Sequence, residues 1–425
     1  MPVVDVVIIG GGAAGLATAI FARRAAPAAS VLVLEGARRP GAKILVSGGS
    51  RCNVTNRVVT ERDFNGGKST TVRRVLRSLP VDDTVRLFAE WGVALHEEAH
   101  GKLFPDSNRS RDVLEALLNQ VEAAGAALQL GTRVTGVQAL GDRFEVRTAR
   151  ETLEARAVVF ATGGLALPKS GSDGAGLEMV RALGHSLVPT TPALAPLVLE
   201  AEGPHRALQG IAHEAELALA VDGRIARRVG GALLWTHFGI SGPAALDMSR
   251  HWLRARLEGR LTRLSLSFYP EMAFEAVDAR WMETTRERPR MLLATALGQA
   301  VPAAIAAALL RRISLDGAVP LASLDRESRR RLVHAVTDWE LPVAGSRGYT
   351  YAEVTAGGVP LEEIDPASME SRRCPGLFLV GEILNVDGRL GGFNFQWAWA
   401  SARAAATGLA GTVAGRRKRT GERPA

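Results

Sequence analysis

The chain has 425 residues, 47% of them apolar and 23% charged, which is the composition of an ordinary globular protein of two or three domains. Its two cysteines, Cys52 and Cys374, lie far apart and form neither a C-x-x-C redox pair nor a zinc pattern. The formal charge of +8 is compatible with a nucleic-acid partner, but a GC-rich coding bias also produces an arginine-rich and alanine-rich chain.

Targeting signals are not visible in the sequence. The start lacks the basic region of a signal peptide, and no apolar stretch has the length of a membrane span. We therefore expect a cytoplasmic protein without a membrane partner, and the sequence leaves the oligomeric state open.

The first residues carry the most informative motif. An apolar strand, V-V-I-I, leads into G-x-G-x-x-G at Gly10, Gly12 and Gly15, and a helix is predicted from Ala13 to Ala26. In such a turn the glycines allow a sharp bend, a close backbone approach to a pyrophosphate and tight helix packing. Glu35 ends the next apolar strand, where a carboxylate accepts hydrogen bonds from ribose hydroxyls. This combination predicts dinucleotide binding at the helix N-terminus.

The following segments predict a mixed α/β domain. Residues 36–55 are glycine-rich and polar and are interpreted as a long loop over the cofactor, and helices are predicted from Thr71 to Gly92 and from Asp112 to Ala124. Four strands follow, at Ala127 to Leu130, Arg133 to Leu140, Phe144 to Thr148 and Ala157 to Phe160.

The character of the chain changes near Pro189, where a proline-rich run favours extended backbone. We predict a nucleotide-binding domain made of two separated parts with two insertions between them. The predicted boundaries are 1–190 for its first part, 191–270 for a β-rich insert, 271–345 for a helical insert, 346–415 for its second part and 416–425 for a disordered basic tail.

Three further segments predict contacts with a cofactor. The run Ser47–Asn53 offers backbone N–H groups, a guanidinium and a carboxamide, which suits a loop across a flavin, although an ordinary flexible loop has the same composition. Ala161, Thr162 and Gly163 follow a buried strand, where backbone comes close to a cofactor. Near the C-terminus a strand ends at Gly381 and Glu382, and a helix begins after Gly391. For Trp397 and Trp399 we favour core packing.

The segment Gly171–Gly176 precedes a helix and looks like a second dinucleotide motif. Its spacing is G-x-x-G-x-G, and no acidic residue closes a following strand. We therefore predict no separate NAD(P) domain.

Taken together, these motifs resemble the bacterial YhiN-type flavoproteins, the family of NAD(P)/FAD-dependent oxidoreductases that includes aminoacetone oxidase. The resemblance extends over nearly the whole chain. The motifs that carry it are GGGAAG at Gly10 to Gly15, SGGSRCNVTN at Ser47 to Asn56, GKLFP at Gly101 to Pro105, ATGGLALPKSGSDGAG at Ala161 to Gly176, THFGISGPA at Thr236 to Ala244, TAGGV at Thr355 to Val359 and GEILNVDGRLGGFNFQWAWAS at Gly381 to Ser401.

The resemblance implies a glutathione-reductase-like FAD-binding Rossmann domain with inserted β-barrel-like and helical domains. It also implies FAD as cofactor. Because no second nucleotide domain is predicted, NADPH or NADH as donor is expected to dock only transiently at the flavin face. The predicted cofactor-binding residues are Gly10, Gly12, Ala14, Gly15, Glu35, Lys43, Ser47, Gly48, Gly49, Arg51, Asn53, Val134, Ala161, Thr162, Gly163, Gly381, Glu382, Gly392, Asn394 and Phe395.

Three residues are candidates for chemistry at the flavin. His237 lies in a polar turn of the insert and has a side chain suited to proton transfer, although a structural histidine fits the turn equally well. Cys52 is a reactive thiol if Arg51 lowers its pKa, and otherwise a small buried residue. His, Cys and carboxylate residues do not cluster at ligand spacing, so no metal is predicted.

The predicted function is an FAD-dependent oxidoreductase that transfers a hydride between flavin and a substrate carbon. The resemblance suggests three substrate types: an enone C=C bond, a uridine of ribosomal RNA, or an amino-ketone oxidised with oxygen. The alternative is an RNA-binding flavoprotein in which FAD is structural or a redox sensor, motivated by the charge and by the clusters at Arg329–Arg331 and Arg416–Arg419.

Overall fold

The computed structural model describes the backbone of residues 3–420 and the side chains of residues 3–415. The chain divides into two compact units. One, here called the two-part unit, contains the residues up to 190 and from 353 onwards, and the other, the inserted unit, contains residues 191–352.

The first part of the chain contains both helices and strands. They are β1 (Val3–Ile9), α1 (Ala13–Ala25), β2 (Val31–Leu34), α2 (Ala42–Ser50), β3 (Thr55–Asn56), β4 (Phe64–Gly66), α3 (Ser69–Leu76), α4 (Val81–Glu90), β5 (Leu95–Glu98), β6 (Lys102–Pro105), α5 (Ser110–Ala123), β7 (Ala127–Gln129), β8 (Val134–Leu140), β9 (Arg143–Thr148), β10 (Thr152–Phe160), α6 (Ala175–Ala182) and β11 (Val188–Ala193).

The remaining elements belong to the inserted unit and to the second part. They are β12 (Leu197–Leu199), β13 (Ala212–Val221), β14 (Arg224–Thr236), β15 (Gly239–Ser241), α7 (Pro243–Leu257), β16 (Thr262–Ser267), α8 (Phe274–Glu287), α9 (Leu293–Gly298), α10 (Ala303–Arg312), α11 (Arg326–Thr337), β17 (Trp339–Leu341), β18 (Val343–Ser346), β19 (Val354–Gly358), β20 (Leu377–Leu379), β21 (Val386–Gly388) and α12 (Phe393–Thr420).

The main sheet of the two-part unit has the order β7-β2-β1-β10-β9-β8, with β20 also paired to β10. Strands β7, β2, β1, β10 and β20 are parallel to their neighbours in this group, and β9 and β8 add an antiparallel hairpin. Because parallel strands end at the same edge, the residues after β1, β2, β10 and β20 are brought together there.

Helix α12 is anchored to the sheet and to the loops around it. The indole N–H of Trp397 donates to the carbonyl of Gly381 (3.1 Å), and that of Trp399 donates to the carbonyl of Val54 (2.9 Å). Both rings are buried in the core, as the sequence predicted. The second part of the chain is therefore an integral layer of this unit.

Two predictions for local structure were wrong. The helix expected from Thr71 to Gly92 is two helices, α3 and α4, because Pro80 disfavours helical backbone at the residue before it and serves as the N-cap of α4. The loop expected over 36–55 contains α2, whose helical backbone continues as far as Val46 before Ser47 departs from it.

The inserted unit contains one sheet with the order β17-β16-β13-β14-β15-β12-β18. Strands β17 and β18 follow the helical segment in the chain, yet β17 pairs with β16 and β18 pairs with β12. Residues of the sheet and of helices α7 to α11 share one apolar core. The β-rich and helical inserts predicted as separate domains thus form one compact unit, and α7 lies within the segment expected to be only β-rich.

The end of the chain is helical as far as the structure describes it. Helix α12 reaches Thr420, so the tail predicted from 416 begins within it, and residues 421–425 lie outside the described residues. Between residues 3 and 420 no helix has both the length and the apolarity needed to cross a membrane.

Candidate dinucleotide site

The turn after β1 is closely packed on one side and open on the other. A Cβ at Gly10, whose φ is +108°, would lie 2.6 Å from the carbonyl oxygen of Ala161, and a Cβ at Gly15 would overlap the carbonyl oxygen of Gly10. A Cβ at Gly12 would meet no heavy atom of the described residues within 4 Å. Gly10 and Gly15 are thus required by the packing of the chain itself, whereas Gly12 faces open space at the N-terminus of α1.

Glu35 lies directly beside this turn. Its carboxylate accepts hydrogen bonds from the backbone N–H groups of Gly11 and Ala37, each at 2.7 Å. The N–H of Gly41 in turn donates to the carbonyl of Gly11 (2.9 Å). The carboxylate is therefore held in place at the edge of the open space, next to the position where the spacing predicted a ribose contact.

The flavin loop predicted at Ser47–Asn53 has an unusual backbone. Gly48, Gly49, Ser50 and Cys52 all have φ between +55° and +67°, so the chain turns sharply after the helical backbone of α2 ends at Val46. Such backbone exposes successive N–H groups, as an anion-binding or flavin-binding loop requires. The Ser47 hydroxyl donates to the carbonyl of Ile44 (2.8 Å), which fixes the start of the turn.

Arg51 points to an acidic partner on the neighbouring strand β5. Its guanidinium lies 2.6 Å from Glu98 Oε1 and 4.1 Å from the centre of the Phe104 ring. The hydrogen bond from Arg51 is the main reason why the pKa of Glu98 lies below its usual value. Arg51 therefore ties the loop to β5 and β6.

The interpretation of Cys52 as a reactive thiol was wrong. The side chain is fully buried, and burial raises the pKa of the thiol to about 12, although a hydrogen bond with Ser47 opposes the shift. Because Arg51 is paired with Glu98, it does not activate the thiol. Cys52 is a small buried residue, which was the alternative interpretation.

Two buried oxygens close to these motifs have no hydrogen-bond partner among the described residues. They are Oδ1 of Asn53, at the end of the flavin loop, and Oγ1 of Thr162, which follows β10 and lies against Gly176. An unpaired buried oxygen costs free energy unless a ligand or water satisfies it. The Asn53 oxygen and the open space at Gly12 are the features expected where an absent dinucleotide belongs, and FAD fits this residue set.

Lys43 and Glu382, both predicted to bind the cofactor, contact each other. The ammonium group of Lys43 lies 2.7 Å from Glu382 Oε2 and donates to the hydroxyl of Ser172 (3.0 Å). The other oxygen of Glu382 accepts from the N–H of Thr355 (3.0 Å). Ser172 and Thr355 were not among the predicted site residues, although each lies within a family motif that the sequence displays.

The side chains around the start of α12 mostly make contacts within the protein, either hydrogen bonds to nearby backbone or ring packing. Asn394 accepts from the N–H of Gly388 (2.8 Å) and donates to its carbonyl (2.9 Å), and Phe395 stacks on Trp399 with ring centres 5.6 Å apart. A Cβ at Gly392 would overlap the carbonyl oxygen of Thr55. The side chain of Asn394 is thus already engaged, so a cofactor contact is left to the backbone of this turn.

Sequence reasoning missed Gln396, one turn further along the helix. Its buried amide accepts from the hydroxyl of Thr55 (2.7 Å) and donates to the carbonyl of Leu79 (2.7 Å). A glutamine among the aromatic residues of an otherwise apolar helix was the available signal.

The other predicted residues lie apart from this cluster of contacts or serve packing. A Cβ at Gly381 would lie 2.9 Å from the Cβ of Ala14, so both residues allow α1 to approach the end of β20. Val134 is buried at the start of β8. His237 belongs to the inserted unit, where it is exposed between β14 and β15 with its ring edge-on to Phe238 at 5.1 Å.

Metal ligands are not assembled anywhere in the described residues. No group of three or more His, Cys, Asp or Glu side chains between residues 3 and 420 is arranged to hold a metal ion. The polar groups of the candidate site are instead backbone N–H groups, two carboxylates and a lysine, which suit phosphates and sugar hydroxyls.

The sequence profile of the HI0933-like protein Rossmann domain matches residues 4–408. The chain belongs to this family. The match confirms the resemblance to YhiN-type flavoproteins, and the family is one of FAD-dependent oxidoreductases.

Two relatives of this family cover nearly the whole chain. One, 31% identical over 93% of this chain and 96% of its own length, is the 3-dehydro-bile acid delta(4,6)-reductase of Clostridium scindens. The other, 32% identical over 95% of this chain and 98% of its own length, is the ribosomal RNA dihydrouridine synthase of Escherichia coli.

A solved structure shares the fold. The 3-ketosteroid delta1-dehydrogenase of Sterolibacterium denitrificans aligns with a TM-score of 0.50 and 15% identity, covering 97% of this chain and 100% of its own. The family match and this likeness show a glutathione-reductase-like, FAD-binding Rossmann fold, as the sequence predicted.

Proposed function

We propose that this protein is an FAD-dependent reductase that saturates a C=C bond conjugated to a carbonyl group, with NADPH or NADH as the electron donor. The observation that carries the proposal is the pair of full-length relatives at nearly equal identity. Reduction of a 3-oxo-4,6-diene and conversion of uridine to dihydrouridine both add two hydrogens to a C=C bond beside a carbonyl. The names of the two relatives therefore describe one type of reaction on two different substrates.

The residues of the two-part unit would hold the cofactor by its adenine-linked half. The N–H groups and the dipole at the start of α1 would face the pyrophosphate beside Gly12, and Glu35 would accept from ribose hydroxyls. When bound and reduced by the nicotinamide, FAD would supply the hydride that adds to the substrate carbon. Asn53 would give its free oxygen to the cofactor or to an ordered water.

The second hydrogen is a proton, and its donor must lie beside the other carbon of the double bond. His237 is our candidate donor because its side chain is exposed and imidazole is a common general acid in enzymes. Cys52 is excluded by its burial and raised pKa. Arg51 is proposed to shape the loop through Glu98 instead of reacting itself.

Among the substrates, we place uridine of ribosomal RNA first and a small enone second. The net charge of +8 favours a polyanionic substrate because arginines attract phosphates over long range. The bile-acid relative supports the small enone. We place amino-ketone oxidation last, because neither of these two relatives is named as an oxidase.

The experiment combines flavin reduction with product analysis. The purified protein is mixed anaerobically with NADPH or NADH, and the loss of oxidised-flavin absorbance is followed before ribosomal RNA or a 3-oxo-4-ene steroid is added. We expect reduction by the nicotinamide, reoxidation by one substrate and the saturated product by mass spectrometry. Tight RNA binding with a flavin spectrum that neither nicotinamide changes would contradict the proposal and support a structural or sensing role for FAD.

A further inference from the structure

The inserted unit contains a groove of about 970 Å³ between one face of its sheet and helices α8 and α11. Because side chains alternate along a strand, the two faces of the sheet differ in character. Leu217, Leu219 and Leu264 face the apolar core, whereas Glu216 and Arg263 line the groove. The groove is therefore a polar cleft lying beside a packed core.

Three cationic or titratable residues of α11 follow one another along this groove. Arg326, Arg330 and His334 are spaced by four residues, which places them on the same side of the helix. The ring of His334 lies 4.5 Å from that of Phe274, and the Arg330 guanidinium lies 5.9 Å from the same ring. The groove thus combines a cationic stripe with an aromatic surface.

The three other arginines that line the groove are neutralised by acidic neighbours. Arg329 lies 2.7 Å from Asp278, Arg228 lies 2.5 Å from Glu216, and Arg263 contacts both Asp338 (2.8 Å) and Glu340 (3.0 Å). Although burial opposes the shift, hydrogen bonds led by Arg263 hold the pKa of Asp338 below its usual range. These pairs fix the walls of the groove and leave little free charge on them.

Arg326 and Arg330 are different, because neither has an acidic partner within the part of the chain that the structure describes. Both side chains are exposed, and the remaining acid of the lining is Glu275. In the arginine run 329–331, Arg329 is paired with Asp278, and Arg331 does not line the groove, so Arg330 is the member of the run that presents an unpaired charge there. Two guanidinium groups one helical turn apart are the expected partners of adjacent phosphates.

We infer that this groove binds a single-stranded segment of RNA, with Arg326 and Arg330 on its phosphates and Phe274 and His334 beside a base. Single-stranded RNA is recognised by a positively charged groove together with aromatic side chains on which bases stack. The inference rests on the proposed function to the extent that the RNA is the substrate. It assigns the inserted unit a role in holding that substrate.

The test compares two double variants of the full-length, FAD-loaded protein. Arg326→Gln/Arg330→Gln removes the free charges of the groove, and Arg311→Gln/Arg312→Gln removes two exposed arginines of α10 that do not line it. Binding of a fluorescent single-stranded RNA of about 20 nucleotides is measured by anisotropy over a salt series. We expect the groove variant to bind about tenfold more weakly, with a salt slope shallower by about 1.4, since about 0.7 is lost per phosphate contact.

Equal weakening by both variants would show that only overall charge matters and would overturn the inference. Binding of UMP as tightly as the single-stranded RNA would assign the groove to a free nucleotide and would also overturn it. Melting temperature and flavin absorbance verify that both variants are folded and loaded.

The same proteins separate this inference from the proposed function. If neither nicotinamide reduces the flavin of the wild-type protein but RNA binds through the groove, the reductase proposal fails and the groove assignment stands. If dihydrouridine forms and the groove variant keeps its RNA affinity and KM, the groove assignment fails alone. We expect the groove variant to raise KM for RNA while kcat is unchanged.

Discussion

Single residues of the first turn have separate roles that the structure distinguishes. Gly15 is enclosed by the backbone of Gly10, and Gly12 borders open space. The backbone of Gly12 has φ −86° and ψ −170°, which alanine also adopts. A side chain at Gly15 must therefore disturb the fold, whereas a side chain at Gly12 fills the space expected to hold the pyrophosphate.

We therefore predict opposite phenotypes for two alanine substitutions. Gly15→Ala should lower the free energy of unfolding by about 1–3 kcal/mol because its methyl group overlaps the backbone. Gly12→Ala should keep the stability of the FAD-free protein and abolish the yellow colour. Thermal melts and flavin absorbance measure the two effects, with Gly298→Ala as a control, since a Cβ there meets no neighbour either. Normal FAD content in Gly12→Ala would contradict the assignment of the site.

At Cys52, burial affects the pKa of the thiol more than the neighbouring Arg51 does. Because the pKa of its thiol is about 12, the thiolate is scarce at pH 8. In a Cys374→Ser background, we predict that Cys52 reacts with a disulfide reagent at least about 1000-fold more slowly than a free cysteine. Denaturation should restore the fast reaction, and rapid stoichiometric labelling of the native protein would refute the prediction.

At the scale of elements, a buried polar network joins the end of α6 to the residues between β19 and β20. His185 Nδ1 lies 2.7 Å from Glu363, and His185 Nε2 lies 2.8 Å from the Ser371 hydroxyl. Arg373 also contacts Glu363 at 2.7 Å. The network resembles a Ser-His-acid arrangement, but its three side chains are buried and Ser371 accepts the N–H groups of residues 373 and 374. Its role is to join two separated parts of the chain.

This network predicts a pH-dependent stability. Burial is the largest influence on the pKa of His185 and lowers it, so the unfolded chain binds a proton more readily than the folded one. Burial raises the pKa of Glu363, but its hydrogen bonds with Ser186, His185 and Arg373 together outweigh burial and lower the pKa. The network should therefore make its full contribution to the free energy of unfolding above a pH of about 6.5. On acidification this contribution should fall, first because His185 is protonated and, below about 4.5, because Glu363 is protonated.

The measurement is the melting temperature of the FAD-loaded protein as the pH falls from neutral to mildly acidic. The decrease should be smaller in His185→Gln than in the wild type, because glutamine does not titrate. His334→Gln serves as the matched control, since it makes the same substitution at an exposed histidine outside this network. A wild-type melting temperature that rises on acidification would contradict the assigned shifts.

At the scale of the whole molecule, the two units have separate cores. The first core consists of residues from both parts of the two-part unit, and the second lies within residues 191–352. The strands β17 and β18 close the sheet of the inserted unit from its C-terminal side. The inserted unit thus contains the elements it needs to fold.

We predict that residues 191–352 expressed alone unfold in one cooperative thermal transition and bind no FAD. Circular dichroism and flavin titration check these two properties. A matched fragment that ends before β17, at residue 337, should lose the cooperative transition because Trp339 and Leu341 leave the core. A fragment 191–352 without a cooperative transition would refute the independence of this unit.

The sequence alone determined the glycine-rich turn after the first strand, the acid that ends the second strand, and the family. Each of these depends on neighbours in the chain: glycine positions, apolar runs and a fixed spacing to an acid. Tertiary structure decided the partners of the polar side chains. Lys43 and Glu382 are 339 positions apart, and no local pattern links them. The burial of Cys52 and the single core of the inserted unit likewise depend on elements distant in sequence. Local backbone conformation depends on adjacent residues, whereas charge pairing, burial and pKa depend on which distant elements the fold brings together.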